Sequence, residues 1–138
     1  MEKTKQQKKS DLVDRVEELE AKRSEIKLEI ALIQASRNLA PNGCWIVRYR
    51  AKGKGGAYWY YKWQSSDPIF VTKTGKNSCH QYIGKAGSPA FLKAVEMMKN
   101  RTKIDALQQV LHTLELGLED LVEEANRINK KQKGSKAR

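Results

Sequence analysis

Residues 44–84 read CWIVRYRAKGKGGAYWYYKWQSSDPIFVTKTGKNSCHQYIG and hold nine of the ten aromatic residues of this 138-residue chain. Aromatic and β-branched residues at a period of two are typical of a pleated, half-buried strand. Glycines and a proline interrupt the run at the places where turns are expected. The stretch therefore predicts a small antiparallel β-sheet.

Positive charge is concentrated in this stretch and at both ends of the chain. Of the formal net charge of +11, residues 41–88 carry +7, residues 1–10 carry +3 and residues 129–138 carry +5, whereas residues 11–40 and 89–128 carry −2 each. A cationic surface suits the phosphates of DNA, of RNA or of an anionic membrane. Charge that only keeps the protein soluble is the alternative interpretation.

The segments on either side of the sheet predict long helices. The first covers residues 11–40 with Ser10 as its N-cap, and the second covers residues 89–129 after a start at Ser88-Pro89. Their apolar residues recur at alternating steps of three and four, which is a coiled-coil pattern. The first set is Leu12, Val16, Leu19, Ile26, Ile30 and Ile33, and the second is Ile104, Leu107, Leu111, Leu114, Leu118, Leu121, Ala125 and Ile128. We expect an antiparallel coiled-coil stalk.

The fold class expected is therefore α+β, with a sheet of three or four strands inserted between two helices as residues 41–88. The strands are predicted at Cys44–Arg50, Tyr58–Gln64 and Ile69–Lys73, followed by an extended piece that ends near Ile83. Ala51–Ala57 is predicted to be a loop. The basic ends, residues 1–10 and 130–138, have the composition of disordered tails.

Alternation along the strands predicts two faces of the sheet. The more apolar face is expected to form the core beneath Phe91 and Val95 of the second helix, and it comprises Trp45, Val47, Tyr49, Trp59, Tyr61 and Trp63. Helix residues Leu92 and Met98 are expected to help cover the sheet. The opposite face is basic, carries two phenols, and comprises Arg48, Arg50, Tyr58, Tyr60 and Lys62.

This basic face and the lysines of the turns are the candidate nucleic-acid-binding residues, because cations contact phosphates and phenols stack on bases. The candidate set is Arg48, Arg50, Lys52, Lys54, Tyr58, Tyr60, Lys62, Lys73 and Lys76. The glycine-rich segment 52–56 and Gly75-Lys76 do not fit the phosphate-loop pattern. We interpret residues 52–56 as a hairpin tip whose lysines reach a phosphate backbone, with an ordinary solvated turn as the alternative.

No enzyme, metal or cofactor chemistry is predicted. Cys44, Cys79, His80 and His112 have no metal-binding spacing, and neighbouring strand residues such as Cys79 and His80 point to opposite faces. Both thiols are expected to be reduced, and no catalytic constellation is recognisable. The chain contains no signal peptide or membrane span by sequence, so we expect a soluble, cytoplasmic protein.

The helices also predict self-association. Three valines, Val13, Val110 and Val122, widen the apolar stripe beyond what a narrow two-helix contact covers. A homodimer built as a four-helix bundle would bury them.

The order of Tyr58-Trp59-Tyr60-Tyr61-Lys62-Trp63, a turn at Gly75-Lys76, Tyr82-Ile83-Gly84 and a long helix resembles an uncharacterised bacterial family. Its members are often linked with transposase-like genes and have a Gly-Pro-Tyr-Trp-Tyr core between helical flanks. Relatives often carry paired cysteines before that core, whereas this chain has only Cys44. The layout more distantly resembles the arm-type DNA-binding domain of tyrosine integrases, which implies a sheet laid in the major groove. No recombinase motif is carried over.

The sequence thus predicts a non-enzymatic DNA-binding protein of a mobile element, with duplex DNA as the favoured ligand and a homodimer as the favoured assembly. Binding of RNA or single strands through Tyr58 and Tyr60 is one alternative. A structural or adaptor protein that binds a protein partner through its helices is the other.

Overall fold

The computed structural model describes residues 4–136, and the side chains of residues 4–131. It confirms the α+β class with a small antiparallel sheet. The elements in chain order are α1 (Lys5–Ala35), β1 (Cys44–Gly53), β2 (Gly56–Ser65), β3 (Phe70–Val71), β4 (Asn77–Ser78), β5 (His80–Gly84), α2 (Pro89–Glu115) and α3 (Leu118–Lys136). They form two compact units. The helical unit is drawn from Met1–Ala31 and Ala106–Arg138, and the sheet unit is Leu32–Asp105.

The main sheet of the sheet unit has three antiparallel strands in the order β1-β2-β5. β1 and β2 are joined by a two-residue turn, Lys54-Gly55, which lies between the paired residues Gly53 and Gly56. Gly55 has a φ of +88°, a backbone conformation that glycine adopts without the steric cost of a Cβ atom. The predicted loop Ala51–Ala57 was therefore wrong, because most of it continues the two strands.

The predicted third strand does not join this sheet. Residues Phe70–Val71 pair with Asn77–Ser78, in a separate two-stranded hairpin. Thr72 N donates to the carbonyl of Lys76 at 2.8 Å, and this hydrogen bond closes the turn directly after the paired residues Val71 and Asn77. The segment after this hairpin, β5, pairs with β2 and supplies the third strand of the main sheet.

The core of the sheet unit lies between one end of the main sheet and the first turns of α2. Its buried residues are Ala40, Cys44, Trp63, Phe70, Ile83 and Ala94, with Ile46, Tyr61, Phe91, Met97 and Met98 packed around them. The rings of Tyr61 and Phe91 are 4.6 Å apart. Phe91 and Met98 were correctly predicted to cover the sheet, but Leu92 and Val95 lie on the exposed side of α2.

The start of α2 agrees with its prediction. Ser88 Oγ accepts a hydrogen bond from the backbone N–H of Phe91 at 3.2 Å, and Pro89 is the first helical residue. Side chains of the same helix hold the segment that leads into β1. Arg101 Nε donates to the carbonyl of Ala40 at 2.7 Å, and Asn100 Nδ2 donates to that of Asn38 at 2.7 Å. These bonds connect both ends of the sheet unit.

In the helical unit, α1 begins at Lys5 rather than after Ser10. Thr4 is the N-cap, because its Oγ1 accepts from the N–H of Gln7 at 3.2 Å while Gln7 Oε1 accepts from the N–H of Thr4 at 3.1 Å. This reciprocal capping box satisfies two N–H groups that a helix start otherwise leaves without a partner. Helix therefore covers most of the predicted N-terminal tail, whose first three residues lie outside the described residues.

The predicted second helix is two helices, so a stalk of two long helices is not confirmed. α2 ends at Glu115 and α3 begins at Leu118, with Gly117 at a φ of +75° between them. Glycine is the favoured residue for this left-handed conformation at a helix C-terminus. α3 continues to Lys136, through most of the predicted C-terminal tail, and residues 137–138 lie outside the described residues.

The N-terminal half of α1 packs on α3. The buried residues are Val13, Val16, Ala125 and Ile128, with Leu12 and Val122 beside them. Lys27 Nζ lies 3.6 Å from Glu115 Oε1, so a later residue of α1 lies next to the last residue of α2, just before α3 begins. Val13 and Val122, predicted to contact a second copy, therefore pack within the chain, and Val110 remains 49% exposed.

Candidate nucleic-acid interface

The pairing of β1 with β2 decides which side chains share a face of the sheet. Tyr49 pairs with Tyr60, and Arg48 pairs with Tyr61. Directly opposed residues of antiparallel strands lie on the same face, so the odd positions of β1 join the even positions of β2. The predicted assignment of faces placed odd positions of β1 together with odd positions of β2. It was therefore wrong for β1.

One face of the sheet carries a row of tyrosines, which we call the tyrosine face and define as Tyr49, Tyr58, Tyr60, Tyr82, Lys62 and Lys85. The ring centroids of Tyr49 and Tyr60 are 6.1 Å apart, and those of Tyr60 and Tyr82 are 6.2 Å apart. Tyr58 is 40% exposed and Tyr82 is 62% exposed, whereas Tyr49 and Tyr60 are half-buried. Three strands thus contribute to one accessible aromatic surface.

A β-bulge follows Tyr82 in β5. Tyr61 pairs with Gly84 while Lys62 pairs with Tyr82, so Ile83 is an extra residue in β5. Ile83 is buried in the core, whereas Tyr82 shares the face of Lys62. Tyr82 belongs to the regular part of the pairing, and the bulge lies between Tyr82 and Lys85. Bulges are frequent next to functional sites.

Two lysines lie over the tyrosine rings. Lys62 Nζ is 5.0 Å from the ring centroid of Tyr49, and Lys85 Nζ is 5.4 Å from that of Tyr58 and 5.9 Å from that of Tyr60. These distances are within the range of cation–π attraction. The face therefore combines aromatic rings with flexible positive charge.

The other face of the hairpin carries the arginines, and we call Arg48, Arg50 and Trp59 the arginine face. The guanidinium carbons of Arg48 and Arg50 are 4.3 and 5.2 Å from the ring centroid of Trp59, which is 47% exposed. Each of these residues lies closer to the β1–β2 turn than the last residue of its own strand that packs on the core, Ile46 in β1 or Tyr61 in β2. The distal hairpin is consequently accessible on both of its faces.

The nine candidate residues are therefore not one surface. Tyr58, Tyr60 and Lys62 lie together on the tyrosine face, while Arg48, Arg50 and Lys52 lie on the opposite side. Lys54 is in the turn, where its carbonyl accepts a hydrogen bond from the Tyr58 hydroxyl at 3.0 Å. Lys73 and Lys76 belong to the turn of the separate β3–β4 hairpin.

Sequence reasoning missed five residues of the two accessible faces. Trp45 and Tyr49, predicted to lie in the core, share the face of Tyr60, and Trp45 is 38% exposed. Trp59, also predicted to lie in the core, is 47% exposed on the arginine face. Tyr82 and Lys85 are absent from the predicted site. A two-residue turn recognised at Lys54-Gly55 gives the register and would have identified the first two residues.

Positive charge greatly exceeds negative charge in the strands and turns of the sheet unit. Asp67, in the segment after β2, is the only acidic residue between Glu29 and Glu96. No carboxylate in β1, β2 or β5 can therefore neutralise the cations of either face. This arrangement produces a positive potential that attracts polyanions.

The cysteine and histidine residues do not form a site. In the described part of the chain, no three His, Cys, Asp or Glu side chains come together where they could hold a metal ion. Cys44 and Cys79 are free thiols. Burial raises the pKa of the Cys44 thiol, against the smaller opposing effects of a hydrogen bond with Ser65 and the charge of Arg101.

None of the helices within residues 4–136 has the length and apolar character needed to cross a membrane. No family model, curated protein or solved structure matches this chain.

Proposed function

We propose that this chain is a non-enzymatic DNA-binding protein and that its sheet unit is the binding module. One observation carries the proposal: both accessible faces of the β1–β2 hairpin combine cations with aromatic rings, and none of the three main strands contains an acidic residue. Lysine and arginine supply affinity by contacting phosphates. Aromatic rings add contacts to bases or sugars.

The arginine face favours duplex DNA as one ligand of this module. An antiparallel two-stranded β-ribbon fits the major groove, where arginine can donate two hydrogen bonds to guanine. Arg48 and Arg50 both project from the exposed distal part of such a ribbon, and Lys52 follows them on the same face. The stacking of both guanidinium groups on Trp59 limits their freedom before binding.

For the helical unit we propose a role in self-association as a coiled-coil homodimer. Several of its large apolar residues are exposed in the single chain, namely Leu28, Val110, Leu116 and Leu121. Burying such residues between two copies would be favourable because it removes apolar surface from water. Val13 and Val122 take no part in this proposal, since they pack within the chain.

The DNA-binding proposal is tested by removing three cations from the sheet. If the protein neutralises about six duplex phosphates, log affinity should fall against log salt with a slope of about −5. Arg48→Ala, Arg50→Ala and Lys52→Ala together, all on the arginine face, should reduce the magnitude of that slope by about 2.7 and weaken binding of every duplex. Fluorescence anisotropy with a labelled oligonucleotide at several salt concentrations measures both effects.

A control with the same change in net charge separates local contact from general attraction. Lys22, Lys27 and Lys99 are exposed lysines outside the sheet, and each lies within 4 Å of a glutamate carboxylate. Their triple alanine variant should lose less affinity than the sheet variant. If the sheet variant is folded by circular dichroism and retains both the affinity and the slope, the sheet is not the binding surface.

A further inference from the structure

We propose that the tyrosine face is a platform for single-stranded nucleic acid, on which bases stack against Tyr49, Tyr60 and Tyr82 while Lys62 and Lys85 take the phosphates. This inference rests on the DNA binding proposed above and specifies the form of nucleic acid that this face accepts. It depends on the spacing of the rings, on their exposure and on the position of the two ammonium groups.

The spacing of the rings excludes stacked bases of a duplex as their common ligand. Successive bases in one strand of duplex DNA are about 3.4 Å apart along the helix axis. The tyrosine centroids are 6.1 and 6.2 Å apart, which is almost twice that distance. Neighbouring bases that each contact one ring must therefore be separated from one another, as they can be in an extended single strand.

The rings differ in exposure and stand on paired strands. Tyr82 is 62% exposed on the edge strand β5, and Tyr49 and Tyr60, directly opposed on β1 and β2, are half-buried. At the turn of the hairpin, the Tyr58 hydroxyl donates to the carbonyl of Lys54 at 3.0 Å and orients that ring. Side chains that are already ordered lose less conformational entropy when a ligand binds.

The two lysine ammonium groups lie over the rings where a base would stack, and close to where the phosphate of that nucleotide would lie. Lys62 and Lys85 lie 5.0 to 5.9 Å from the ring centroids of Tyr49, Tyr58 and Tyr60. An exposed cation–π contact is weaker than the stacking of a base on an aromatic ring, so a base can displace the ammonium group. The displaced group stays next to the ring on a flexible four-carbon stem, within reach of the phosphate of the same nucleotide.

A purely structural role for these tyrosines makes a different prediction. Aromatic pairs across neighbouring strands stabilise a sheet even when nothing binds to them. If the tyrosines had only this role, substituting them would lower the stability of the protein. The affinity of the folded variant for any nucleic acid would not change. Binding and folding therefore have to be measured on the same variants.

The first experiment compares two triple variants of the full chain at Tyr49, Tyr60 and Tyr82. Stacking on one ring contributes a factor of about 5 to 150 in affinity, so replacing all three by Leu should weaken binding of a labelled oligothymidine by about 100-fold or more. Replacing all three by Phe keeps the rings and should leave the affinity within about 5-fold of the parent. A folded Leu variant that binds oligothymidine as the parent does overturns the inference.

The second experiment changes the ligand and leaves the protein unaltered. An oligonucleotide of the same length with abasic sites keeps the phosphates but offers no bases to stack. The parent should bind it about as weakly as the Leu variant binds oligothymidine, and equal binding of both probes would contradict the base platform. Because the triple Leu variant can fail to fold, Tyr82→Leu alone, at the most exposed ring, is the fallback and should cost at least about 5-fold.

A duplex probe separates this inference from the proposed function. If the parent binds duplex but the Leu substitutions change neither single-strand nor abasic binding, only the single-strand platform is wrong. If the parent binds neither duplex nor single strand at about 50 mM salt, where electrostatic binding is strong, the DNA-binding proposal itself fails.

Discussion

Two leucines of α3 provide a sharp test of the helical unit. Leu118 is 1% exposed and Leu121 is 40% exposed, although they are only three residues apart. Truncating a buried leucine to alanine costs about 2–5 kcal/mol of the free energy of unfolding. Fully burying a leucine side chain contributes about 1.5–3 kcal/mol, so losing the buried three-fifths of Leu121 should cost about 1 kcal/mol. Leu118→Ala should therefore be about 2 kcal/mol more destabilising than Leu121→Ala.

Urea unfolding followed by circular dichroism measures this difference, at a protein concentration low enough to keep the chain monomeric, because Leu121 is among the residues that the proposed dimer would bury. With a denaturant slope of about 2 kcal/mol per molar, the midpoint of Leu118→Ala should lie about 1 M below that of Leu121→Ala. Tryptophan fluorescence supplies an internal reference, because all three tryptophans, Trp45, Trp59 and Trp63, belong to the sheet unit. Both substitutions make the same change in helix propensity on one helix.

Equal midpoint shifts for the two variants would refute the observed packing of α3. A single helix with an unbroken three-four apolar pattern places both leucines on its seam and predicts similar costs. The comparison therefore discriminates between the observed helix break and the continuous helix expected from the sequence.

Four further predictions follow from named contacts and conformations. Gly117→Ala should lower stability by about 1 kcal/mol in thermal unfolding, because its φ of +75° is costly for a residue with a Cβ atom, and an unchanged melting temperature would contradict the helix break. Thr4→Ala should remove the capping hydrogen bond and cost about 1 kcal/mol, seen as faster amide exchange in the first turn of α1. Iodoacetamide at pH 8 should alkylate Cys79 before Cys44, since burial raises the pKa of the Cys44 thiol and leaves less thiolate, and mass spectrometry that found Cys44 modified first would disprove this. Light scattering at high micromolar concentration should show a dimer that Val110→Lys converts to a monomer, whereas a strictly monomeric parent would refute self-association.

The strands were largely predictable from composition, but their predicted register was wrong, and the reason lies in one turn. A loop at Ala51–Ala57 leaves the pairing of the two strands open. Any two-residue turn joins an odd position of β1 to an even position of β2, and therefore requires Tyr49 to share a face with Tyr60. The three glycines around Lys54 carried that information in the sequence.

The helix boundaries show how local signals compete with a long apolar pattern. The unbroken spacing through Leu114, Leu118 and Leu121 favours one helix, but Gly117 can end a helix wherever it adopts a left-handed conformation. A capping box at Thr4 and Gln7 was likewise visible in the sequence and is stronger than Ser10 alone, because it satisfies two N–H groups.

The remainder of the site depends on contacts that no local pattern specifies. Tyr82 joins the tyrosine face because β5 pairs with β2 after the intervening β3–β4 hairpin, with Tyr82 opposite Lys62. Lys85 follows from the same pairing. Prediction of these residues needed the tertiary arrangement, since a shift of one residue exchanges the two faces.

The register also changes what the cations and rings can do. Had the predicted faces been correct, the arginines would share one basic surface with Tyr58 and Tyr60, and most of the other rings would be core. In the structure, Tyr61 and Trp63 pack in the core, while Tyr82 and Trp59 are 62% and 47% exposed. Burying such rings would stabilise a protein whose only requirement is to fold, because each carries a large apolar surface. Their exposure beside cations supports the nucleic-acid binding proposed above, because a nucleic acid provides both phosphates and flat apolar faces.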